Sequence, residues 1–163
     1  VLSSNHLEIV MSIEAKLAEM DLSLPPPSPK GGVYQSMLVI GDQALFSGHV
    51  PVLPDGSMLT GRVGEEVDLE AAQTAARQVG LCILATAKAT LGSLDRIRRV
   101  VKLLGMVNCT PDFGQHPQVI NGCSELFRDL WGEDLGVGVR SAVGMGSLPG
   151  NVTVEVEGAF LID

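Results

Sequence analysis

The fold of this chain is decided near its end, by the stretch Arg140-Ser-Ala-Val-Gly-Met-Gly-Ser-Leu-Pro-Gly-Asn-Val-Thr-Val-Glu-Val-Glu-Gly-Ala. Side chains alternate between the two faces of a strand, so Val152, Val154 and Val156 share one face. Glu155 and Glu157 then share the other face. The Gly- and Pro-rich middle of the stretch predicts a turn between two strands. The valine face is expected to meet the core, which leaves two carboxylates on the opposite face.

The strand before this turn carries an arginine. Arg140, Ala142 and Gly144 alternate in the same way, and the strand is expected to pair with the strand of Glu155. An arginine beside a glutamate is most often an exposed ion pair that contributes little to stability. Taken alone, the pair therefore predicts a solvated face or a salt bridge.

Helical periodicity predicts two helices in the chain before this stretch. One is capped by Asp68 and ends at Gly92, with apolar residues that step by three or four positions. The other begins at His116-Pro117 and ends at Gly132. Residues 97–107, between these helices, are apolar on both faces, which predicts an interior strand at the centre of the sheet.

A β-hairpin is predicted ahead of the first of these helices. Residues 33–40 and 43–47 read as its strands, Gly41-Asp42 as its turn, and residues 48–64 as a long surface loop. The order β-β-α-β-α-β-β predicts an α+β, two-layer sandwich, a mixed β-sheet with two helices on one face. The uncovered face must be polar or buried by another subunit, and a hydrophobic fraction of 45% favours burial in an oligomer.

The N-terminal part has a different character. Residues 12–20 read as a short amphipathic helix with Ser12 as N-cap, and Leu24-Pro-Pro-Pro-Ser-Pro29 then cannot be helical. We therefore expect an N-terminal extension at residues 1–29 and a globular domain at residues 30–163. Met11 is a candidate initiator, in which case residues 1–10 would be an upstream extension.

Composition excludes several classes of function. Eleven Lys and Arg against nineteen Asp and Glu give a net charge of −8, which repels nucleic acid. The three cysteines cannot form a closed disulfide framework, which fits a cytoplasmic protein. No apolar run approaches the roughly 20 residues needed to cross a bilayer, so no membrane partner is expected.

Other candidate chemistry is weaker. Cys109 could be a nucleophile only with a nearby base, and although His116 is close in sequence, an inert buried thiol is the commoner outcome. The three histidines lack metal-ligand spacing, so no metal site is predicted. Gly144-Met-Gly146 precedes a strand rather than a helix, so it is a turn and not a phosphate loop.

The segment from Arg140 through Leu148-Pro149 to Glu155 resembles the C-terminal signature of the reactive intermediate deaminase (Rid, or YjgF-like) family. Leu45-Phe-Ser-Gly-His-Val-Pro resembles the strand end of the same family, and Tyr34 matches in the first strand. The resemblance covers residues 30–163. It implies a chorismate-mutase-like fold and a homotrimeric barrel with ligand sites in the clefts between subunits.

The resemblance also implies an activity. Active members hydrolyse 2-imino acids, together with their enamine tautomers, to 2-keto acids and ammonia, without a metal or organic cofactor. The chain would thus be a 2-iminobutanoate/2-iminopropanoate deaminase-like hydrolase that binds a small carboxylate. By this resemblance Arg140 would anchor the carboxylate of the substrate, and Glu155 would act as acid and base. Glu157 would be structural.

Four further residues match positions that contact the ligand in this family. Tyr34, Gly48 and Asn121 would line the pocket, often from the adjacent subunit. Active members commonly have Cys two residues after the arginine, where it supplies backbone contacts, whereas this chain has Ala142. That departure supports an alternative, a non-catalytic, carboxylate-binding or regulatory trimer that uses the same cleft. The endoribonuclease activity attached to the family's name is disfavoured by the negative charge.

Overall fold

The computed structural model describes residues 10–163, so the first nine residues of the predicted extension lie outside the described residues. The chain runs through α1 (Ile13–Glu19), β1 (Met37–Ile40), β2 (Gln43–His49), α2 (Leu69–Leu91), β3 (Ile97–Asn108), α3 (His116–Gly136), β4 (Val139–Met145) and β5 (Val154–Ile162). Short 3-10 helices lie at Leu94–Arg96 and Pro149–Asn151. The predicted α+β class is confirmed, although β1 begins later than residue 33.

The ends of α2 form as their capping residues predict. The Asp68 carboxylate accepts a hydrogen bond of 2.8 Å from the backbone N–H of Ala71, and Gly92 adopts a φ of 84° after the last turn. In the middle of α2, a Cβ on Gly80 would lie 2.9 Å from the Leu126 side chain of α3. The two helices therefore pack closely on one face of the sheet.

The second long helix extends past its predicted end. Gly132 leaves the helical conformation, with a φ of 81° and a ψ of 173°, but a last turn resumes and α3 ends at Gly136. The glycine thus breaks the helix without terminating it. Among residues 10–163, no helix is long and apolar enough to span a bilayer.

The sheet has the strand order β1-β2-β5-β3-β4. Its pairs are antiparallel except β3 with β4, which is parallel, so the predicted mixed sheet is confirmed. The predicted pairing of the Arg140 strand with the Glu155 strand is wrong, because β3 lies between them. Helix α3 returns the chain to the same end of the sheet, so β4 runs parallel beside β3. The other edge of β3 then pairs with β5, which takes the central position predicted for residues 97–107.

The two faces of the sheet differ in their cover. The core lies under α2 and α3 and contains Val107, Val154, Val156 and Phe160, all fully buried. The valine face of β5 is therefore inward, as predicted. The opposite face has no helix on it, and several large apolar side chains are exposed at the strands, namely Leu38, Ile40, Leu45, Val139 and Val143.

Helix α1 is also part of the core. Ser12 Oγ accepts a hydrogen bond of 3.1 Å from the N–H of Ala15, which confirms the N-cap. Ile13 and Leu17 are buried with the core of the domain, and Lys16 Nζ donates 2.8 Å to the Leu130 carbonyl of α3. The domain division at residue 30 stays a prediction. Helix α1 lies before residue 30 in sequence, but it packs against the core formed by residues after it.

Because α1 covers part of the core, Leu17→Ala should destabilise the protein. Truncation of a buried leucine costs about 2–5 kcal/mol through lost burial and a residual cavity. Chemical denaturation of the purified protein measures this loss. Glu19→Ala, an exposed position on the same helix, is the control and should change stability by less than about 0.5 kcal/mol. Equal effects of the two variants would show that α1 does not contribute to the folded core.

Candidate functional site

Arg140 lies on β4, on the face of the sheet that the helices cover. Its register partner on β3 is Leu103, which is buried, and paired residues of neighbouring strands share a face. Arg140 Nη1 donates to Asn121 Oδ1 at 2.9 Å and to Ser124 Oγ at 3.0 Å, both on α3. The structure thus brings together the predicted Arg140 and Asn121.

Ser124 is a member of this group that sequence reasoning missed. It follows Asn121 by three residues, a spacing that places two side chains on one face of a helix. That spacing is the signal that could have found it. Arg140 Nη2 also donates to the Pro117 carbonyl at 3.5 Å, and all three of its partners are neutral, so they orient the guanidinium without cancelling its charge. A cavity of about 350 Å³ lies beside these side chains, lined also by the exposed Arg128 and Glu125.

Ala142 lies on the same face of β4, beside Gly105 of β3. Its side chain packs against the hydrophobic core. A Cβ on Gly105 would overlap the side chain of Ile120, so the glycine lets α3 lie close to the sheet. This close approach brings Asn121, the next residue of α3, within reach of Arg140. We call Arg140, Asn121, Ser124 and Ala142 the arginine half-site.

Glu155 lies on β5 opposite Met106, and its side chain is on the uncovered face of the sheet. It is half-buried, and this burial raises the pKa of its carboxyl group above the ordinary value, with the nearby charge of Glu157 raising it further. A Cβ on Gly48 would overlap the Glu155 carboxylate. Gly48 therefore lets the backbone of β2 approach the carboxylate more closely than any other residue could.

A second cavity, of about 660 Å³, adjoins this carboxylate. It is lined by Tyr34, Gly48 and Glu155 together with apolar side chains that include Val50, Val52, Met58 and Pro149. The predicted Tyr34, Gly48 and Glu155 thus lie together, and we call them the glutamate half-site. Tyr34 is exposed, and its hydroxyl accepts a hydrogen bond of 3.2 Å from the N–H of Gly31.

The two half-sites do not meet within one copy of the chain. Arg140 points to the covered face and Glu155 to the uncovered face, and β3 separates their strands. Two strand spacings amount to about 10 Å. The ion pair predicted from the sequence is therefore absent from residues 10–163, and each half-site is open to a molecule from outside.

The histidines have separate environments. His49 is buried, and its ring nitrogens lie 2.7 Å from the Ser47 carbonyl and 2.8 Å from Thr86 Oγ1. Burial lowers the pKa of His49, so it is a neutral core residue. His116 lies 3.5 Å from the Cys109 thiol. Over the part of the chain that the structure describes, no group of three or more His, Cys, Asp and Glu side chains could hold a metal ion.

Known proteins resemble this chain over most of its length. A sequence model of the YjgF/chorismate-mutase-like family matches residues 14–152. Protein TCP17 of Trypanosoma cruzi is 36% identical over 89% of this chain and 91% of its own length. The crystal structure of Atu1372 from Agrobacterium tumefaciens, a protein of unknown function, is 40% identical, with a TM-score of 0.85 over 93% of this chain and 94% of its own. RidA from an Antarctic Psychrobacter is 25% identical, with a TM-score of 0.58 over 84% and 94%.

The half-buried Glu155 should make stability depend on pH. Because its pKa is raised in the folded state, the folded protein holds this proton more tightly than the unfolded chain. The stability that protonated Glu155 contributes to the fold is fully present below the pKa of the unfolded chain. It is lost as pH rises through the higher pKa of the folded protein. Glu155→Gln should therefore raise the melting temperature at pH 7 and give no gain near pH 4, relative to the exposed control Glu19→Gln. Melting curves between pH 4 and 8 measure this, and a gain that does not vary with pH would contradict it.

Proposed function

The chain belongs to the YjgF/chorismate-mutase-like family, and on that premise we propose that it hydrolyses reactive 2-imino acids and their enamine tautomers to 2-keto acids and ammonia. The observation that carries this proposal is the pair of half-sites. One offers a guanidinium held by neutral partners, and the other a half-buried carboxylate with a raised pKa. The similarity to a protein named RidA supports the same reaction class.

Arg140 is proposed to anchor the carboxylate of the imino acid. A guanidinium presents a planar pair of N–H donors that matches the two oxygens of a carboxylate. Asn121 and Ser124 fix its orientation through Nη1, so little side-chain freedom is lost when the ligand binds. Since both are neutral, the ligand supplies the negative charge that the guanidinium lacks.

Glu155 is proposed to handle the protons of the reaction. The imine carbon is already electrophilic, so hydrolysis needs a positioned water, a base to take its proton and an acid to return one to the leaving nitrogen. A carboxylate with a raised pKa does both more readily than an exposed one, because its pKa lies closer to the working pH. The apolar wall of its cavity would hold the aliphatic part of the substrate.

The complete site is proposed to form between two copies of the chain in a homotrimer. Arg140 and Glu155 face opposite sides of one sheet, so a substrate can touch both only when the glutamate half-site of one copy lies against the arginine half-site of another. The exposed apolar side chains of the uncovered face would be buried in the same assembly. A cytoplasmic location, where such imines arise, belongs to the same proposal.

A second candidate is a non-catalytic protein that holds a small carboxylate in the same cleft. It is favoured by Ala142, which stands where active members commonly have Cys. It shares the Arg140 anchor and differs in having no use for Glu155 as a base. Carboxylate binding without turnover would distinguish it.

Turnover is tested by generating 2-iminobutanoate or 2-iminopropanoate in situ with an amino-acid oxidase and trapping the surviving imine with semicarbazide. The wild-type protein should suppress trapping, and Arg140→Ala and Glu155→Gln should each lower the rate about 10²-fold or more. Glu157→Gln, two residues along the same strand face, is the matched control and should stay active, because burial, the larger cause of the raised pKa of Glu155, is unchanged in this variant. If the wild-type protein leaves trapping unchanged but binds 2-ketobutyrate in calorimetry, the deaminase proposal fails and the binding protein replaces it.

The sharing of the site between copies is tested with mixed assemblies. Arg140→Ala and Glu155→Gln chains carrying different tags are co-expressed, and assemblies with both tags are purified. If each site takes one residue from each of two copies, every trimer that contains both kinds of chain has one complete pair among its three sites, and activity returns to about a third of the wild type. Activity no higher than that of either parent would show that both residues come from one copy. Sedimentation should give three times 17.1 kDa for each assembly.

A further inference from the structure

A third cavity lies at the edge of the sheet, outside both half-sites. Its volume is about 380 Å³, and it forms where β3 ends, α3 begins and β4 runs past them. The side chains that line it include Arg62, Cys109, Thr110, Phe113 and His116. The reaction proposed above uses none of them.

The cavity contains a thiol and an imidazole in contact. Cys109 Sγ lies 3.5 Å from His116 Nε2, a hydrogen-bonding distance for sulfur. The Phe113 ring meets the His116 ring edge-on, with centroids 5.4 Å apart, and so limits its rotation. With the ring proton on Nδ1, Nε2 can accept the thiol proton. Nucleophile, base and a group that orients the base are the parts of an activated cysteine.

Gly144 leaves space beside this pair, in which the Cys109 thiol itself is buried. A Cβ at this position of β4 would lie 2.6 Å from His116 Nε2 and 2.9 Å from Cys109 Sγ. Any other residue would place a side chain directly on the two reactive atoms. The glycine therefore leaves open the space that an incoming molecule would need.

The surroundings of the thiol favour an anion. Arg62 Nη2 donates to the Cys109 carbonyl at 3.0 Å, and Arg62 Nε is buried without a hydrogen-bond partner among residues 10–163. Arg62 Nη1 also pairs with the exposed Glu65 carboxylate at 3.4 Å, so an incoming anion shares the guanidinium with Glu65. His116 is the first residue of α3, whose N-terminus has no side-chain cap. A guanidinium and an uncapped helix N-terminus both attract negative charge.

From this arrangement we propose that Cys109, with His116 as its base and Arg62 as an anion-binding group, is a second reactive site that takes small, anionic carbon electrophiles such as α,β-unsaturated carboxylic acids. Nε2 of His116 takes the thiol proton as Sγ forms a bond to the β-carbon. The electron pair of the double bond moves to the α-carbon, which then receives the proton from His116. The net change is addition of S–H across the double bond, and nothing is oxidised.

The need for a base follows from the burial of the thiol. Burial raises the pKa of Cys109 above the ordinary thiol value, while a hydrogen bond from the Met145 backbone and the charge of Arg62 lower it by less. The resting group is thus a thiol at neutral pH, and its reaction depends on His116. The other two cysteines serve as internal controls, because Cys82 in α2 and Cys123 in α3 are both buried.

The test compares two alkylating probes of nearly equal size, iodoacetate and iodoacetamide, on the native full chain. In each reaction the Sγ–C bond forms and iodide leaves, and peptide mass spectrometry reports the rate at each cysteine. Cys109 should react first, while Cys82 and Cys123 react only after unfolding. The rate ratio of iodoacetate to iodoacetamide at Cys109 should exceed the ratio in the unfolded protein by about tenfold or more, as in a charged cleft.

Single substitutions test the separate roles of the base, the guanidinium and the glycine. His116→Gln should slow both probes about 10²-fold, the loss expected when a general base is removed. Arg62→Gln should bring the probe ratio down to its unfolded value, whereas Arg62→Lys should keep it raised. Gly144→Ala should slow both probes, because its methyl group would occupy the space beside Cys109 Sγ and His116 Nε2 and displace these side chains.

Three results would overturn the proposal, and circular dichroism confirms folding in each case. The first is that Cys109 is alkylated no faster than Cys82. The second is that the iodoacetate to iodoacetamide rate ratio at Cys109 equals its value in the unfolded protein. The third is that His116→Gln leaves the alkylation rate at Cys109 unchanged. None of these readouts involves imine hydrolysis, so this site and the proposed function are tested separately.

Discussion

The parallel pairing of β4 with β3 sets the strand order and the positions of the candidate site residues. Once α3 has carried the chain back along the sheet, β4 occupies one edge of β3, and β5 pairs with the other. This pairing turns Arg140 toward α3 and places Gly144 beside Cys109 and His116. Because β3 separates β4 from β5, the same pairing keeps the guanidinium and the Glu155 carboxylate apart within one chain.

Two glycines let α3 lie close to α2 and to the sheet, and this close packing sets the positions of the side chains around Arg140. Gly80 of α2 admits the Leu126 side chain, and Gly105 of β3 admits Ile120. Helix α3 is thereby held close to both its neighbours, and Asn121 and Ser124 reach the guanidinium. A methyl group at either glycine would push α3 outward, so residues that never contact a ligand determine the position of those that would.

The reactive groups have environments that affect their charge in different ways. Arg140 has neutral partners, so its positive charge is not offset, whereas Glu155 is half-buried and its carboxyl group therefore holds its proton more tightly. A carboxylate ligand would neutralise the charge of Arg140. The raised pKa of Glu155 would help it exchange a proton with a bound water. Cys109 is a third case, a protonated thiol beside an imidazole that can accept the proton.

The sequence alone places each α-helix and strand along the chain, identifies the caps of α1 and α2, and assigns the β5 residues that face the core, although β1 and α3 differ from their predicted bounds. These features follow from local chemistry, from side-chain periodicity and from capping residues. It also indicated Arg140, Asn121 and Glu155 through their family resemblance. Tertiary packing sets the strand order, the face to which Arg140 points, the docking of α1 and the contact of Cys109 with His116. Alternation tells which residues of one strand share a face, but strand pairing joins residues far apart in sequence, and its energy depends on how whole elements pack.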